Sequence, residues 1–227
     1  MKNILLKFPR LLIGYFLYAL GIVMTINAQQ GLDPWGVFHQ GLSFKMNITF
    51  GIAVNIVGAV IVILDFIFGE RIGWGTIGNV IFIGTFIDLI TSIRLVPVFD
   101  NTILSFLMMF IGMFTISLAA YFYLSAQLGA GPRDGLMIAL TKRTNKPVGL
   151  VRGSLEVTAL IIGYFLGGSV GWGTLIMSLV LGLFFQTTFK ILHFDVKQVE
   201  HRYVDQDIAF LIQKLKPKNG TTNSKSD

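Results

Sequence analysis

The sequence predicts an all-α membrane protein with six transmembrane helices in two inverted three-span repeats, each carrying a short re-entrant or interfacial helix. Composition is the first observation behind this prediction. Of the 227 residues, 53% are hydrophobic and 13% are charged, whereas an ordinary soluble domain carries about 25% charged residues. The other two observations are six long apolar segments and a match between the two halves of the chain at an offset of 98 residues.

The few charged residues, the absence of cysteine and the net charge further limit the class of protein. A water-soluble globule of this length has too much surface to cover with so few charges. The chain has no cysteine, which excludes a disulfide framework and thiolate metal sites. The net charge of +6 would suggest nucleic acid in a soluble protein, but the basic residues lie between and after apolar segments, as in membrane proteins. We therefore expect a lipid bilayer and no nucleic acid as partner.

Six apolar segments are long enough to cross about 30 Å of hydrocarbon at about 1.5 Å per residue. Basic residues precede the first segment, as in a secretory signal. That segment has a counterpart in mid-chain, where no signal can lie, so we interpret it as the first transmembrane helix. The predicted spans are 11–28, 50–68, 76–93, 103–126, 149–167 and 174–192.

Two short, half-polar segments follow the first and fourth spans, at 34–43 and 132–143. Each begins at the proline of a Gly-x-x-Pro motif, and proline suits the first helical position, where an N–H is not needed. Helices this short cannot span, so they are interfacial or re-entrant. The residues predicted as structural helix breaks are Gly31, Pro34, Gly129, Gly131 and Pro132.

The internal repeat aligns without a gap. Gly31 matches Gly129, Pro34 matches Pro132, and a GWGT tetrapeptide occurs at both 73–76 and 171–174. The repeats cover about 11–93 and about 103–192. Since each copy has three spans, an odd number, the second should enter the membrane from the opposite side. Such inverted repeats are common among secondary transporters.

The charges predict the orientation. If the N-terminus is cytoplasmic, the outer segments carry only Lys45 and Arg94, and the other basic residues lie inside, as the positive-inside rule requires. We predict a multi-pass protein of the bacterial plasma membrane with cytoplasmic N- and C-termini. Residues 1–192 would form a single membrane domain, and 193–227 a cytoplasmic tail with an amphipathic helix followed by disorder.

Polar residues within spans are functional candidates because they are costly in lipid. Arg152 and Glu156 lie four residues apart on the fifth span and could pair along one helix face. Asp88 on the third span matches Gln186 on the sixth, and each could join two helices or contact a solute or ion. Asp65 is near the end of its span, where we expect it to be interfacial.

Arg133 and Asp134 stand in the first turn of the second short helix. Free N–H groups at a helix start favour anions, so Arg133 could contact a substrate anion, Asp134 or a lipid phosphate. The first copy has Trp35 and Gly36 at the matched positions. The substrate-or-ion candidates are therefore Arg133, Asp134, Arg152, Glu156, Asp88 and Gln186.

No pattern in the chain indicates an enzyme. The three histidines share no metal-ligand spacing, and no serine or cysteine nucleophile motif occurs. A GxGxxG at 73–78 joins two membrane helices rather than a strand and a helix, which is the wrong context for a dinucleotide site. We expect no catalytic residue, metal or cofactor.

Five stretches carry a more specific pattern. They are GLDPWGVFHQGLS (31–43), GWGTIGN (73–79), IGTFIDL (83–89), GAGPRDGLMIALTKRT (129–144) and GLVRGSLEVTALIIGYFLGG (149–168). In these stretches the chain resembles the YczE/YyaS-like bacterial membrane proteins, with a looser likeness to the YitT type, over about residues 10–190. The resemblance implies a permease-like plasma-membrane protein and names no substrate. The family commonly has an acid after the tryptophan, where this chain has Gly36.

Two functions follow from these observations. The first is a transporter or permease of an unknown small solute or ion, indicated by the inverted repeat and the charged residues within spans. The alternative is a non-transporting accessory or regulatory protein that docks a partner enzyme or complex through the basic loop 142–146 and the tail. A substrate-binding subunit that borrows an energising module is also allowed by size, but the helices lack a repeated Ala-xxx-Ala docking pattern.

Overall fold

The structure, a computed structural model, describes residues 2–208, apart from the side chains of residues 2–6 and 197. The described part contains eight α-helices up to Ile191 and no strand. The helices are α1 (Lys2–Asn27), α2 (Pro34–Met46), α3 (Phe50–Ile67), α4 (Trp74–Ser92), α5 (Thr102–Ser125), α6 (Pro132–Thr144), α7 (Val148–Phe165) and α8 (Trp172–Ile191).

Six of these helices are long and apolar enough to cross a membrane: α1 from Lys7 onward, α3, α4, α5, α7 and α8. The six predicted spans are thereby confirmed, with ends that differ from the prediction by a few residues. The helices α2 and α6 have 13 residues each, about 20 Å at 1.5 Å per residue, which is too short to span.

Local chemistry sets the ends of the two short helices. Pro34 and Pro132 occupy the first turn of α2 and α6, where proline costs no hydrogen bond. The helices end at Asn47 and Asn145, both left-handed with φ of 54°, a conformation that asparagine tolerates better than most residues. The four residues form two matched pairs of the repeat, so both copies begin and end this helix in the same way.

The centre of the bundle is the packing of α1 against α5. A Cβ on Gly21 would lie 2.8 Å from the carbonyl oxygen of Gly112, and one on Gly14 would lie 3.0 Å from the backbone nitrogen of Tyr123. Residue numbers thus rise along α1 as they fall along α5, so the two helices are antiparallel. Small residues allow this close approach of the backbones.

Two matched hydrogen bonds join the copies. The Gly75 N–H donates to the Leu128 carbonyl oxygen at 2.7 Å, and the Gly173 N–H donates to the Gln30 carbonyl oxygen at 2.6 Å. In each bond, the first turn of the helix that starts within the GWGT motif of one copy contacts the helix break of the other. The copies differ elsewhere, since α3 packs along α4 whereas the matched helices α7 and α8 barely touch.

The expectation that Asp65 is interfacial concerns its depth in the membrane and stays a prediction, but the structure shows that the residue is buried within the protein. Its side chain is 3% exposed and lies against Gly135, where an added Cβ would clash with the carboxylate. The reason is that α6 folds over this end of α3, a contact that the hydropathy of α3 cannot indicate.

The first part of the predicted tail folds back on the bundle. Arg71 forms an ion pair with Asp205 at 2.6 Å, and the indole N–H of Trp74 donates to Asp207 at 3.0 Å. A helical segment occupies residues 204–208. The remainder of the predicted amphipathic helix and the predicted disorder fall on residues 209–227, outside the described residues.

Candidate functional site

A cavity of about 550 Å³ lies at the centre of the bundle, and all eight helices contribute to its wall. Its volume is in the range of small-molecule sites. The first turns of both short helices, α2 and α6, line it. The two helix breaks, far apart in sequence, therefore meet at one place.

A cation–aromatic contact joins the two helix starts. The guanidinium carbon of Arg133 lies 4.8 Å from the centre of the Trp35 ring, within the range of a cation–π interaction. Arg133 and Trp35 occupy matched positions of the two copies. Arg133 and Asp134 do not form one of the ion pairs seen in the described residues, so Arg133 faces the other copy instead.

The start of each short helix brings one aspartate to the cavity, and these two aspartates are not at matched positions of the repeat. Asp33 precedes α2, where the second copy has Gly131; Asp134 is in α6, where the first copy has Gly36. A Cβ on Gly36 would lie 2.6 Å from Asp33 Oδ1, and a Cβ on Gly131 would lie 3.5 Å from Asp134 Oδ2. The glycine at position 36 therefore leaves room for Asp33, whereas a Cβ at position 131 would make only an ordinary contact with Asp134.

Burial governs the protonation of both acids. Desolvation raises the pKa of Asp33, and the charge of Arg133 opposes this. Desolvation also raises the pKa of Asp134, opposed first by the charge of Arg152 and then by the Tyr123 hydroxyl, which donates to Asp134 at 3.4 Å. Both acids therefore hold a proton more readily than an exposed aspartate does.

His39 lies on the same wall and is 2% exposed. Burial, helped by the nearby charge of Arg133, lowers its pKa well below the ordinary value. The ring packs edge-on against Phe50, with centres 5.9 Å apart. His39 is therefore a buried part of the cavity wall in which the neutral form of the ring is favoured.

The fifth span contributes the predicted ion pair. Arg152 Nε donates to Glu156 Oε1 at 3.1 Å, one helical turn along α7. Both side chains line the cavity, and Gln186 lines it from α8. The i, i+4 spacing was sufficient to predict this pair.

Asp88 lies apart from the cavity wall. It accepts hydrogen bonds from the Thr49 hydroxyl at 2.5 Å and from the Gly51 N–H at 2.9 Å, which tie α4 to the start of α3. Of the two options open from sequence, the geometry is that of a contact between helices. The structure thus brings together five of the six candidate side chains and leaves out Asp88.

The sequence reasoning missed several residues of the cavity wall. Asp33 is one of them, and the signal for it in the sequence is an acid beside Pro34 where the other copy has Gly131. His39 is another, since its lack of metal-ligand spacing does not exclude a place on the wall. Asn79, a polar residue within a span, could be either a functional or a structural residue from the sequence, and the structure places it on the wall. Tyr18 has no signal in the sequence, because its place on the wall depends on helix packing. Among the described residues, no three histidine or acidic side chains are grouped closely enough to hold a metal ion.

Comparison with known proteins finds relatives over most of the membrane part of the chain. Residues 5–190 match the family of unknown function DUF6198. The chain is 33% identical over 186 residues to the uncharacterized membrane protein YczE of Bacillus subtilis, covering 80% of this chain and 85% of that protein. An uncharacterized protein of Haemophilus influenzae is 32% identical over 79% of this chain and 84% of its own length.

The protein YyaS of Bacillus subtilis, also uncharacterized, is 26% identical over 86% of this chain and 94% of its own length. No solved structure matches the chain. The resemblance to the YczE/YyaS-like proteins is confirmed by these relatives, and the six apolar helices agree with a membrane protein. With a match that covers nearly the whole membrane part, the chain belongs to the DUF6198 family.

Proposed function

We propose that the protein transports a small polar solute across the bacterial plasma membrane and that the central cavity holds this solute. The observation that carries the proposal is the meeting of the two helix breaks at one cavity with charged residues on its wall. Charged groups among membrane helices are costly and mark solute or ion pathways. Broken helices that meet between two repeats are where secondary transporters bind their substrates.

An inverted arrangement of the repeats supports this function. The antiparallel packing of α1 and α5, which are matched helices, is the relation expected of copies with opposite topology. The matched bonds from Gly75 to Leu128 and from Gly173 to Gln30 fit a two-fold axis between the copies. In this proposal the axis passes close to the cavity, and each short helix is re-entrant.

Cytoplasmic termini are part of the same proposal. Gln127 accepts a hydrogen bond from the Lys7 ammonium at 3.1 Å through its side chain and from the Arg202 N–H at 2.8 Å through its backbone. Lys142 pairs with Glu70 at 2.8 Å near this end of the bundle. The basic character of this end favours the cytoplasmic side.

The groups on the wall suggest the chemistry of the solute. Arg133 and Arg152 supply positive charge, while Asp33, Asp134 and Glu156 supply acids. A site that contains both positive and negative side chains suits a solute with at least one ionised group. Arg133 would bind a negatively charged group of the solute, and Glu156 would bind a positively charged one. The ring of Trp35 offers an apolar surface beside them.

Binding can be tested on the purified protein before transport. We expect one solute among free amino acids, dicarboxylates and choline to raise the thermal unfolding midpoint, since a ligand of the folded state stabilises it. Uptake of that solute is then measured in proteoliposomes. Glu156→Gln should abolish uptake with membrane levels intact, whereas Glu70→Gln, which breaks an ion pair with Lys142 away from the cavity wall, should not affect it.

Two outcomes would count against the proposal. If no charged solute in the panel shifts the unfolding midpoint or enters the vesicles, the cavity does not serve transport. If Glu156→Gln transports at the normal rate, Glu156 has no part in it. The accessory alternative gains no support from residues 202–207, which Arg71 and Trp74 of the same chain already contact.

A further inference from the structure

We propose that the first half of α7 swings onto α8 in a second conformation, where Gln186 holds it, and that this movement closes one side of the cavity. The proposal rests on the proposed function, since such a gate has a purpose only if the cavity carries a solute across. It follows from a contact that one copy of the repeat makes and the other lacks.

In the first copy, the matched helices α3 and α4 are already packed together. The start of α3 packs against α4 so tightly that a Cβ on Gly51 would overlap the carbonyl oxygen of Gly84. Asp88, one turn beyond Gly84, accepts a hydrogen bond from the Gly51 N–H at 2.9 Å. Two glycines and one hydrogen-bond acceptor therefore hold these helices together.

In the second copy the same parts are present but separated. Gly149, Gly182 and Gln186 match Gly51, Gly84 and Asp88. A Cβ on Gly149 or on Gly182 would meet no atom within 4 Å, and Gln186 is exposed on the cavity wall. Glycine within a helix costs about 1 kcal/mol relative to alanine. The open conformation makes no use of these two glycines, whereas a closed one would.

The other end of α7 is fixed, which makes a hinge movement feasible. A Cβ on Gly163 would lie 2.5 Å from the Cα of Phe38, and one on Gly41 would lie 2.5 Å from the Gly163 carbonyl oxygen. These contacts clamp the second half of α7 to α2. The first half of α7, from Val148 to Glu156, is held less tightly. Val151 is buried there and Leu155 packs near Leu136 of α6, but most of its other side chains are exposed or half-buried and α8 does not pack along it, so it is the part that would move.

The first copy defines the closed geometry. A Cβ on Gly58 of α3 would lie 3.3 Å from the side chain of Val80 on α4. The matched residues are Glu156 and Ser178, which stand on the cavity wall in the open conformation. Closure would bring them into contact, with Gln186 accepting a hydrogen bond from the Gly149 N–H as Asp88 does from Gly51.

Disulfide trapping in membranes tests the movement, because the chain has no native cysteine. The test pair is Glu156→Cys with Ser178→Cys, and the matched control is Gly58→Cys with Val80→Cys. Under a mild oxidant the control pair should link at once. The test pair should link more slowly but to completion, because each visit to the closed state can be captured. Glu156→Cys with Leu183→Cys, which is out of register, should stay unlinked.

Gln186 is tested as the residue that holds the gate. Gln186→Ala should slow linking of the test pair about fivefold, the effect of losing one hydrogen bond. Gln186→Glu keeps an acceptor and should retain the rate. Linking of the control pair should be unaffected by either variant.

A test pair that remains unlinked after complete linking of the control pair would overturn the movement. If the test pair links at the same rate with Gln186→Ala as with the native glutamine, the role of Gln186 is overturned but the movement is not. Neither result depends on transport. If the test pair links but no solute is taken up, the proposed function is refuted and the movement of α7 stands. If a solute is taken up but the test pair does not link, the movement is refuted and the proposed function stands.

Discussion

The guanidinium of Arg133 lies 4.8 Å above the ring of Trp35 and thereby connects the two short helices across the central cavity. These are matched residues of the two copies that differ in chemistry. Where an exact repeat would place two like residues face to face, the chain places a cation over an aromatic ring, which attracts it.

Removing this contact should destabilise the fold. We expect Arg133→Ala to lower the free energy of unfolding by about 1–2 kcal/mol, because Arg133 is half-buried and a cation–π interaction strengthens as the cation loses solvent. The matched control is Arg143→Ala, since Arg143 lies 4.5 Å from the Phe68 ring but is exposed, and its loss should be about 0.5–1 kcal/mol. Denaturant unfolding in detergent micelles gives both values, and equal losses would contradict the role of burial.

The glycine pairs predict opposite effects of one substitution. Gly51→Ala should destabilise the protein by about 1–3 kcal/mol, because its methyl group has no room beside Gly84. Gly149→Ala should be neutral or stabilising by up to about 1 kcal/mol, since alanine favours the helix and space is open there. Thermal unfolding of the two variants checks this, and destabilisation by Gly149→Ala would show that the open state is not the main one.

The raised pKa of Asp134 predicts a pH dependence of stability. Between the ordinary aspartate pKa and the raised one, the folded state holds a proton that the unfolded state has lost, so stability falls as pH rises through this window. Asp134→Asn, which cannot ionise, should therefore be more stable than the native protein above the window and lose that advantage at acidic pH.

Unfolding midpoints between pH 4 and 8 measure this effect. Asp100→Asn, at an exposed position, serves as the control and should give a curve parallel to that of the native protein. A parallel curve for Asp134→Asn as well would mean that burial does not disfavour the ionised form of Asp134.

The start of the tail should contribute to stability. Asp207 is 8% exposed, accepts the Trp74 indole N–H at 3.0 Å, and pairs with Arg202. Asp207→Ala leaves both donors without this partner and should cost about 1–3 kcal/mol. Truncation after Ile208 keeps these contacts and should leave both stability and transport unchanged. Loss of a cellular phenotype on that truncation, with uptake retained, would favour the accessory function.

Much of the secondary structure was predictable because its causes are local. Span length follows from runs of apolar residues, and the starts of α2 and α6 follow from Pro34 and Pro132. The pair of Arg152 and Glu156 is local too, because residues four apart are neighbours on any helix. The offset of 98 residues also indicated which positions correspond, although not which contacts they make.

The sequence by itself determined a membrane protein with six apolar helices, two short helices after helix breaks, and a DUF6198 family pattern. Only the tertiary structure decided that both breaks meet at one cavity, that Asp65 is buried under α6, and that Asp88 joins helices while Gln186 faces the cavity. The last difference has a plain physical reason. Matched residues share a local sequence, but their environment depends on whether the neighbouring helix is packed against them, as α4 is on α3 and α8 is not on α7.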